Sequence, residues 1–329
     1  YEVKDKYKPK EDPSVYVLFK LTDGRYLLVW TTTPWTLPSN VAIALNASAD
    51  YVETEIDGKH VILAEKRLEV IDQIKKKYSI IKKFKGSELL GLRYEHPFAD
   101  LPQIQTNRDK LGIIINGEDI LGAENEPFVN ILEGTGFVHV APGHGISDYK
   151  LSMKYNLPVL SPVNEDGIYK DEAGFLKGKH IFEVNDIILD ILEKRGLLFK
   201  KDKIIHDYPH CWRCSTPLVQ IATTQWFIDV TKIKKELIET ADKINWVPEI
   251  SKQNFMMWLS NIEDWVISRQ RYWNTPLPIW ICDRCGNKIT IGSKQELIDL
   301  SGVKDIGDLH KTSLSKITIK CKVCGGDMH

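Results

Sequence analysis

The chain has 329 residues, of which 43% are hydrophobic and 27% charged, and its formal net charge is −1. These values are ordinary for a soluble globular protein, and the length suggests two or three domains. The near-neutral charge excludes a large uniform basic field, so nucleic acid would have to bind at a local patch. No run approaches the ~18 apolar residues of a membrane helix, and residues 1–20 do not resemble a signal peptide. We therefore expect a cytoplasmic protein without membrane contact.

The first part of the chain is predicted to be rich in strands. Residues 14–21 and 25–30 predict a hairpin, because Asp23-Gly24 between them is a tight-turn sequence. A helix is predicted over residues 68–78, where apolar residues recur at helical spacing. Further strands are predicted at residues 41–45, 51–56, 60–64, 111–116 and 126–131.

A polar stretch with two prolines follows the hairpin, over residues 31–40. It predicts neither a helix nor a central strand, because proline fixes φ and lacks a backbone N–H. One interpretation is a stiff binding loop at a strand end, where functional residues are common. The other is a half-buried strand edge that the prolines merely end. The residues at issue are Thr31, Thr32, Thr33, Trp35, Thr36 and Asn40.

A second informative stretch begins at a glycine-rich turn near residue 134. Residues 137–141 predict a strand and residues 142–145 a glycine-rich loop, and Ser147-Asp148 can cap the helix that begins there. One strand–loop–helix junction would then bring together His139, His144 and Asp148. The alternative for each residue is a structural histidine or a plain capping aspartate.

The strand-rich domain is predicted to end near residue 200, after a helix over residues 185–195 that Gly196 terminates. We expect residues 1–200 to form a mixed α/β barrel, so the fold class is α/β. A strand at 203–208 then leads the chain away, and further helices are predicted at 231–244, capped by Thr231, and at 254–259. Arginines interleave with aromatic residues over 264–273, which suits base stacking and phosphate contacts or an ordinary cationic surface.

All six cysteines occur in Cys-x-x-Cys pairs. This spacing is typical of zinc knuckles, because two thiolates with two residues between them can both reach one tetrahedral ion. The later pairs, separated by a predicted helix at 293–300, indicate a structural four-thiolate zinc site made of Cys282, Cys285, Cys321 and Cys324. The pair Cys211 and Cys214 could share a metal with residues outside this chain or with one of the later pairs.

Five stretches, in order, resemble isoleucyl-tRNA synthetase, a class I aminoacyl-tRNA synthetase; they are residues 30–40, 134–149, 208–217, 225–228 and 268–280. Two features favour the isoleucine enzyme over the similar valine enzyme. One is Trp35, and the other is the sequence Val-His-Val-Ala-Pro-Gly-His-Gly at 138–145. In that family a β-rich insertion hydrolyses valine wrongly attached to tRNA, so the resemblance implies that residues 1–200 are an editing domain.

The resemblance also implies roles for single residues. Asp148 would pair with the α-ammonium group of the misacylated residue, and His139 would line a pocket that admits valine but excludes isoleucine. The threonine-rich loop would shape the pocket, hold the terminal adenosine and position the attacking water, through Thr31, Thr32, Thr33, Thr36 and Asn40. Trp35 and His144 complete the expected substrate-binding set. Positioned water and hydrogen-bond donors are what ester hydrolysis mainly needs.

The chain also departs from the family pattern, and these departures predict its domain organisation. Neither the His-Ile-Gly-His signature nor the Lys-Met-Ser-Lys-Ser loop occurs, so ATP and Mg²⁺ would be used only by a full-length parent enzyme. In the family, Cys211 and Cys214 meet a cysteine pair that precedes the insertion and is absent here. We expect an internal fragment with an editing domain (1–200), a return segment into the catalytic domain (201–280) and a zinc-binding insertion (281–329).

The expected partners are the acceptor end of tRNA(Ile) and its valine or isoleucine ester, bound by a monomer. Other classes remain open beside this interpretation. A free-standing trans-editing deacylase would share the pocket but leave residues 225–280 unexplained, and a relative of valyl-tRNA synthetase would share the overall pattern. A non-catalytic zinc module that binds RNA would explain the cysteines but not the threonine-rich loop.

Overall fold

The computed structural model describes residues 7–74, 76–122, 126–269 and 276–329. Residues fall into two compact units, Tyr1–Thr223 and Thr224–His329. The expected domain boundaries at residues 200 and 280 divide the chain into three parts instead of two, and they stay a prediction. Within the described ranges no helix is long and apolar enough to cross a membrane.

The first unit contains nine strands and four helices among its described residues. The strands are β1 (Tyr7–Lys20), β2 (Tyr26–Thr31), β3 (Ala42–Leu45), β4 (Asp50–Ile56), β5 (Lys59–Ala64), β6 (Ser79–Lys85), β7 (Ile113–Asn116), β8 (Phe137–Val140) and β9 (Leu198–Pro209). The helices are α1 (Glu69–Gln73), α2 (Pro102–Thr106), α3 (Ile146–Tyr155) and α4 (Asn185–Lys194). Short 3-10 turns join them, of which Pro34–Ser39 and Glu65–Arg67 matter for the site.

Two open sheets organise this unit. Six strands pair in the order β6-β4-β5-β2-β1-β9, and three pair in the order β7-β3-β8. The expected α/β class is confirmed, but the expected barrel is wrong, because the described strands form separate sheets that do not close. Pro34 and Pro38 explain the break: they follow β2 without N–H donors, so the chain leaves the large sheet before β3 opens the small one.

Strand alternation buries both faces of the large sheet at its central strands. In β1, Val15 and Val17 face the main core, whereas Tyr16 and Leu18 face a smaller core beneath α1. This is the period-two pattern of a strand covered on both sides. The threonine-rich loop therefore leaves a strand that is fixed from both faces.

Most of the predicted strands are confirmed, with three differences. The 14–21/25–30 hairpin is present as β1 and β2, which pair in antiparallel register. The helix predicted at 68–78 is only the short α1, and residues 79–85 instead form the edge strand β6. The strand predicted at 126–131 is wrong, since those residues form an irregular segment. The strand predicted at 203–208 belongs to β9, which stays in the large sheet by pairing with β1.

The second unit consists of helices and short hairpins. Its described elements are β10 (Phe227–Ile228), α5 (Lys234–Asp242), α6 (Ile250–Ser260), β11 (Trp265–Val266), β12 (Ile279–Ile281), β13 (Lys288–Thr290), α7 (Lys294–Ser301), α8 (Lys311–Leu314), β14 (Ile319–Lys320) and β15 (Asp327–Met328). The predicted cap Thr231 is wrong, because a 3-10 turn, Val230–Ile233, precedes α5. Residues 270–273 of the predicted arginine–aromatic run lie outside the described residues.

Candidate functional site

The threonine-rich loop is a 3-10 turn braced by its own hydroxyls. The Thr33 N–H donates to Thr31 Oγ1 at 3.1 Å, and the Thr36 hydroxyl donates to the Thr33 carbonyl at 2.9 Å. Pro34 stands at the start of the turn, where a missing N–H costs nothing. The loop is therefore a rigid extension of β2, as the stiff-loop interpretation predicts.

The back of this loop is anchored in the core. The Asn40 side chain accepts a hydrogen bond from the Tyr94 hydroxyl at 2.5 Å and donates to the Ala42 carbonyl at 2.9 Å. The Tyr169 hydroxyl donates to the carbonyl of Trp35. Both Trp35 and Asn40 are buried and lie outside the cleft described below. The structure thus places these two residues of the expected substrate-binding set behind the loop.

The second motif folds into β8, a tight loop and α3, as predicted. The helix begins at Ile146, so Gly145 and not Ser147 or Asp148 precedes its first turn. Asp148 instead turns back within that first turn and accepts the Ala141 N–H at 2.8 Å. A Cβ at position 145 would come within 2.2 Å of Asp148 Oδ2, which explains the glycine there.

His139 links the two motifs. Its Nε2 lies 3.0 Å from Thr36 Oγ1, whereas its Nδ1 is buried without a partner in the described structure. Burial, with a smaller contribution from the neighbouring His144, lowers the pKa of His139 to about 4. A neutral ring that donates from Nε2 leaves only an acceptor nitrogen unpaired, which is less costly than an orphaned N–H.

His144 is held between the same two motifs. Its Nε2 lies 3.2 Å from Ser39 Oγ, its Nδ1 lies 3.2 Å from the Gln220 carbonyl, and its ring packs edge-on against Trp35 at 4.8 Å. The carbonyl can only accept, so Nδ1 carries the proton and Nε2 accepts from Ser39. Burial lowers the pKa of His144 to about 4, so this ring is also neutral near pH 7.

The Asp148 carboxyl group is shifted in the opposite sense. Burial, only partly offset by the hydrogen bond from the Ala141 N–H, raises its pKa to about 6. Near pH 7 the group is still mostly ionised. The structure thus provides one desolvated carboxylate beside two neutral imidazoles.

These side chains line one cleft of about 310 Å³. Seven of the nine expected catalytic and substrate-binding residues contribute to it: Thr31, Thr32, Thr33, Thr36, His139, His144 and Asp148. The cleft also includes three residues outside both motif stretches, Phe128, Asn130 and Glu133. They lie in the irregular segment after residue 126, which carries no periodicity that could have revealed them.

The cleft is suited to a small polar ligand with a cationic group. A carboxylate with few competing partners favours a bound ammonium, and clustered hydroxyls can hold water or donate to a developing oxyanion. The neutral imidazole of His139 adds bulk without charge. Such a set suits water-driven cleavage of an ester.

The later cysteines form a second candidate centre, in the second unit. The four Sγ atoms of Cys282, Cys285, Cys321 and Cys324 all lie within 4.8 Å of one another. Two of the separations are 3.4 and 3.7 Å, close to the ~3.8 Å expected between thiolates around a tetrahedral zinc ion. The donor set and its geometry therefore fit a metal ion of the zinc type.

The earlier cysteine pair lies in a turn of the first unit. Cys211 N–H donates to the Thr216 carbonyl at 2.9 Å, and Cys214 Sγ lies 3.2 Å from Thr216 Oγ1. Among the described residues it joins no cluster of three or more metal-ligand side chains. Its use as a metal site stays a prediction.

Comparison with known proteins places the chain in a family. Residues 14–323 match the model of the tRNA synthetases class I (I, L, M and V). The chain therefore belongs to the class I tRNA synthetases of this group.

Individual relatives of this chain are named for one amino acid, isoleucine. The isoleucine–tRNA ligase of Saccharolobus islandicus (strain M.16.27) is 41% identical over 99% of this chain and 31% of its own length. That of Methanocaldococcus jannaschii is 42% identical over 100% of this chain and 32% of its own length. The chain thus spans about a third of the length of these curated relatives.

Two solved structures are also similar. A crystal structure of GlLeuRS-CP1 matches 59% of this chain and 99% of its own, at 11% identity and a TM-score of 0.43. The editing domain of the P. knowlesi cytosolic leucyl-tRNA synthetase matches 60% of this chain and 98% of its own, at 14% identity and a TM-score of 0.41. The assignment to the family rests on the sequence matches rather than on these.

Proposed function

We propose that the cleft of the first unit hydrolyses misacylated Val-tRNA, as the editing site of an isoleucine–tRNA ligase. The observation that carries the proposal is the meeting of the threonine-rich loop with His139 and Asp148 in one cleft. The isoleucine–tRNA ligases among the relatives support isoleucine as the amino acid that the whole enzyme attaches. On this view the whole enzyme joins isoleucine to tRNA with ATP and Mg²⁺, and this part proofreads the product.

Each side of the cleft has one task in the proposed reaction. The Asp148 carboxylate pairs with the α-ammonium of the bound aminoacyl ester and so fixes its carbonyl. Hydroxyls of Thr31, Thr32 and Thr33 hold a water against that carbonyl and donate to the oxyanion as it forms. The ester C–O bond then breaks, and the proton lost by the water ends on the ribose oxygen. Trp35 and Asn40 support this wall from behind.

A second pocket is needed because the first selection is weak. One methylene in an apolar pocket changes binding by only ~1–3 kcal/mol, a general value for which isoleucine against valine is a standard example. A smaller pocket reverses the selection, since it admits valine and excludes isoleucine by size. The buried, neutral ring of His139 suits that boundary, because it adds volume without the repulsion that a protonated imidazolium would exert on the substrate's ammonium group.

The other expectations follow from the same proposal. Cys282, Cys285, Cys321 and Cys324 would hold a structural Zn²⁺, and the acceptor end of tRNA(Ile) would be the partner of a monomeric protein. A free-standing trans-editing deacylase is the second candidate. The match to the synthetase family over residues 14–323 favours the ligase, because it extends well beyond the cleft.

The Asp148→Ala variant tests the proposal most simply. We expect hydrolysis of Val-tRNA(Ile) to fall at least about thirtyfold, because removing one partner of a desolvated charge pair costs about 2–5 kcal/mol. The matched control is Asp186→Ala, which removes an exposed aspartate from the first turn of α4, outside the cleft. Wild-type rates in the Asp148 variant would refute the editing assignment, whereas the Asp186 variant should keep them.

A further inference from the structure

One wall of the cleft has no secondary structure of its own. We call residues 128–134 the wall segment; it contributes Phe128, Asn130, Glu133 and Gly134 to the cleft. It contains neither helix nor strand, so no regular backbone ladder fixes it. Its first part is anchored by Val129, which is buried in the main core. The remainder has one local hydrogen bond, from the Leu132 N–H to Asn130 Oδ1 at 2.9 Å, and contacts made by other elements hold it against the cleft.

Arg67 supplies the main polar contacts to this remainder. Its Nε donates to the Gly134 carbonyl at 3.0 Å, and its Nη1 donates to the Leu132 carbonyl at 2.9 Å. The same guanidinium pairs with Glu69. The Arg67 side chain is only 15% exposed, and its bond to Gly134 is partly buried, whereas its bond to Leu132 lies at the surface. Arg67 lies outside the cleft, in the 3-10 turn that follows β5.

The backbone next to the wall segment is tied to the same sheet. The Ala64 N–H donates to the Thr135 carbonyl at 2.9 Å, and the Tyr51 hydroxyl donates to the Gly136 carbonyl at 2.6 Å. Gly134 lies so close to Trp30 that a Cβ would come within 2.8 Å of the indole ring. The wall segment therefore packs on Trp30. Hydrogen bonds accepted by its own backbone carbonyls and by those of the adjoining residues hold it there.

We propose that Arg67 is a positioning residue that sets the width of the cleft by holding the wall segment over Trp30. This inference rests on the proposed function only for what the cleft binds. The guanidinium reaches two carbonyls at once because its N–H groups form a rigid fork, which a lysine ammonium cannot reproduce. Charge alone is therefore not sufficient at this position.

The wall segment should act on substrate binding rather than on bond cleavage. The groups that orient the ammonium and the water belong to the threonine-rich loop and to α3, whereas the wall segment presents Asn130 and Glu133. These exposed acceptors suit the hydroxyl groups of the ribose that carries the ester. Loosening the wall should raise the KM for Val-tRNA and leave kcat nearly unchanged.

The first test needs no assumption about activity. Hydrogen exchange of the backbone amides of residues 130–136 and of Ala64 is compared between the wild type and Arg67→Lys. We expect at least about tenfold faster exchange in the variant, because the segment loses the fork that restrains it. The controls are Arg25→Lys, an arginine just before β2 that pairs with Asp23 and Glu53, and Glu69→Gln, which removes only the carboxylate partner. Unchanged exchange in Arg67→Lys would overturn the proposal, as would equal acceleration in both controls.

The second test measures Val-tRNA hydrolysis by the same variants. Arg67→Lys should raise KM roughly tenfold, the equivalent of about 1.4 kcal/mol, with kcat within about twofold. A fall in kcat at constant KM would contradict a positioning role. A wild-type protein that hydrolyses no Val-tRNA would refute the proposed function alone, since the exchange test still decides whether Arg67 holds the wall. Melting temperatures of all variants show whether the fold is retained.

Discussion

At the scale of single residues, the cleft keeps its titratable groups in unusual states. Asp148 is harder to ionise than a free aspartate, and His139 and His144 are harder to protonate than free histidines. Burial is the first cause in all three cases, since it penalises whichever form carries charge. Of these three buried groups, only Asp148 carries a charge at neutral pH.

This arrangement predicts the pH dependence of hydrolysis. The Asp148 carboxyl group must be ionised to pair with the substrate's ammonium group, and its pKa is raised to about 6. We therefore expect kcat/KM to rise as pH increases through about 6 and to level off up to about pH 8, where an α-ammonium group ordinarily loses its proton. A change of rate near pH 6 is usually assigned to a histidine, but burial lowers the pKa of His139 and His144 to about 4. The residual activity of Asp148→Asn should lack this change of rate; if it persists there, another group titrates.

The residue scale also shows what the sequence could predict. His139 and Asp148 could be expected to meet, because one strand–loop–helix junction carries both, whereas only the family resemblance implied that Thr31 would join them. The sequence could not show that Asn40 faces the core, since that depends on Tyr94, which is 54 residues away. Nor could it identify Arg67, whose partners are carbonyl groups and therefore carry no side-chain pattern.

At the scale of elements, strands buried on both faces were the easiest to predict. β1 and β2 combine long apolar runs with an Asp-Gly turn, and both signals agree. β6 was missed because Ile80 and Ile81 are exposed and lysines surround them, as suits the edge of a sheet. The expected barrel was wrong because the pairing of strands across a long loop depends on tertiary contacts, which the sequence pattern does not show.

The two cysteine hairpins give a prediction at this scale. The turns after β12 and β14 bring four thiols together, and a metal ion would tie these short hairpins to one another. We expect the purified chain to carry about one zinc ion at these thiols and Cys321→Ser to lose it, as measured by elemental analysis. The matched control is Val323→Ser, whose exposed side chain lies in the same turn. Absence of zinc from the gently purified wild type, or its full retention by Cys321→Ser, would contradict the site.

At the scale of the whole molecule, the family match spans residues 14–323 and so includes parts of both units. The cleft accounts for the threonine-rich loop and the second motif, and the thiol cluster accounts for the later cysteines. Both features were predictable from the sequence because they use short, local motifs. The open sheets and the wall segment were not, because they depend on contacts between distant residues.

The size selectivity of the cleft is measured by comparing two substrates on the unmodified chain. Single-turnover hydrolysis is measured with Val-tRNA(Ile) and with Ile-tRNA(Ile) under the same conditions. If the cleft selects by size, the valine ester should be hydrolysed at least about tenfold faster, since one methylene is worth ~1–3 kcal/mol. Equal rates for the two esters, or no hydrolysis of the valine ester, would contradict the account.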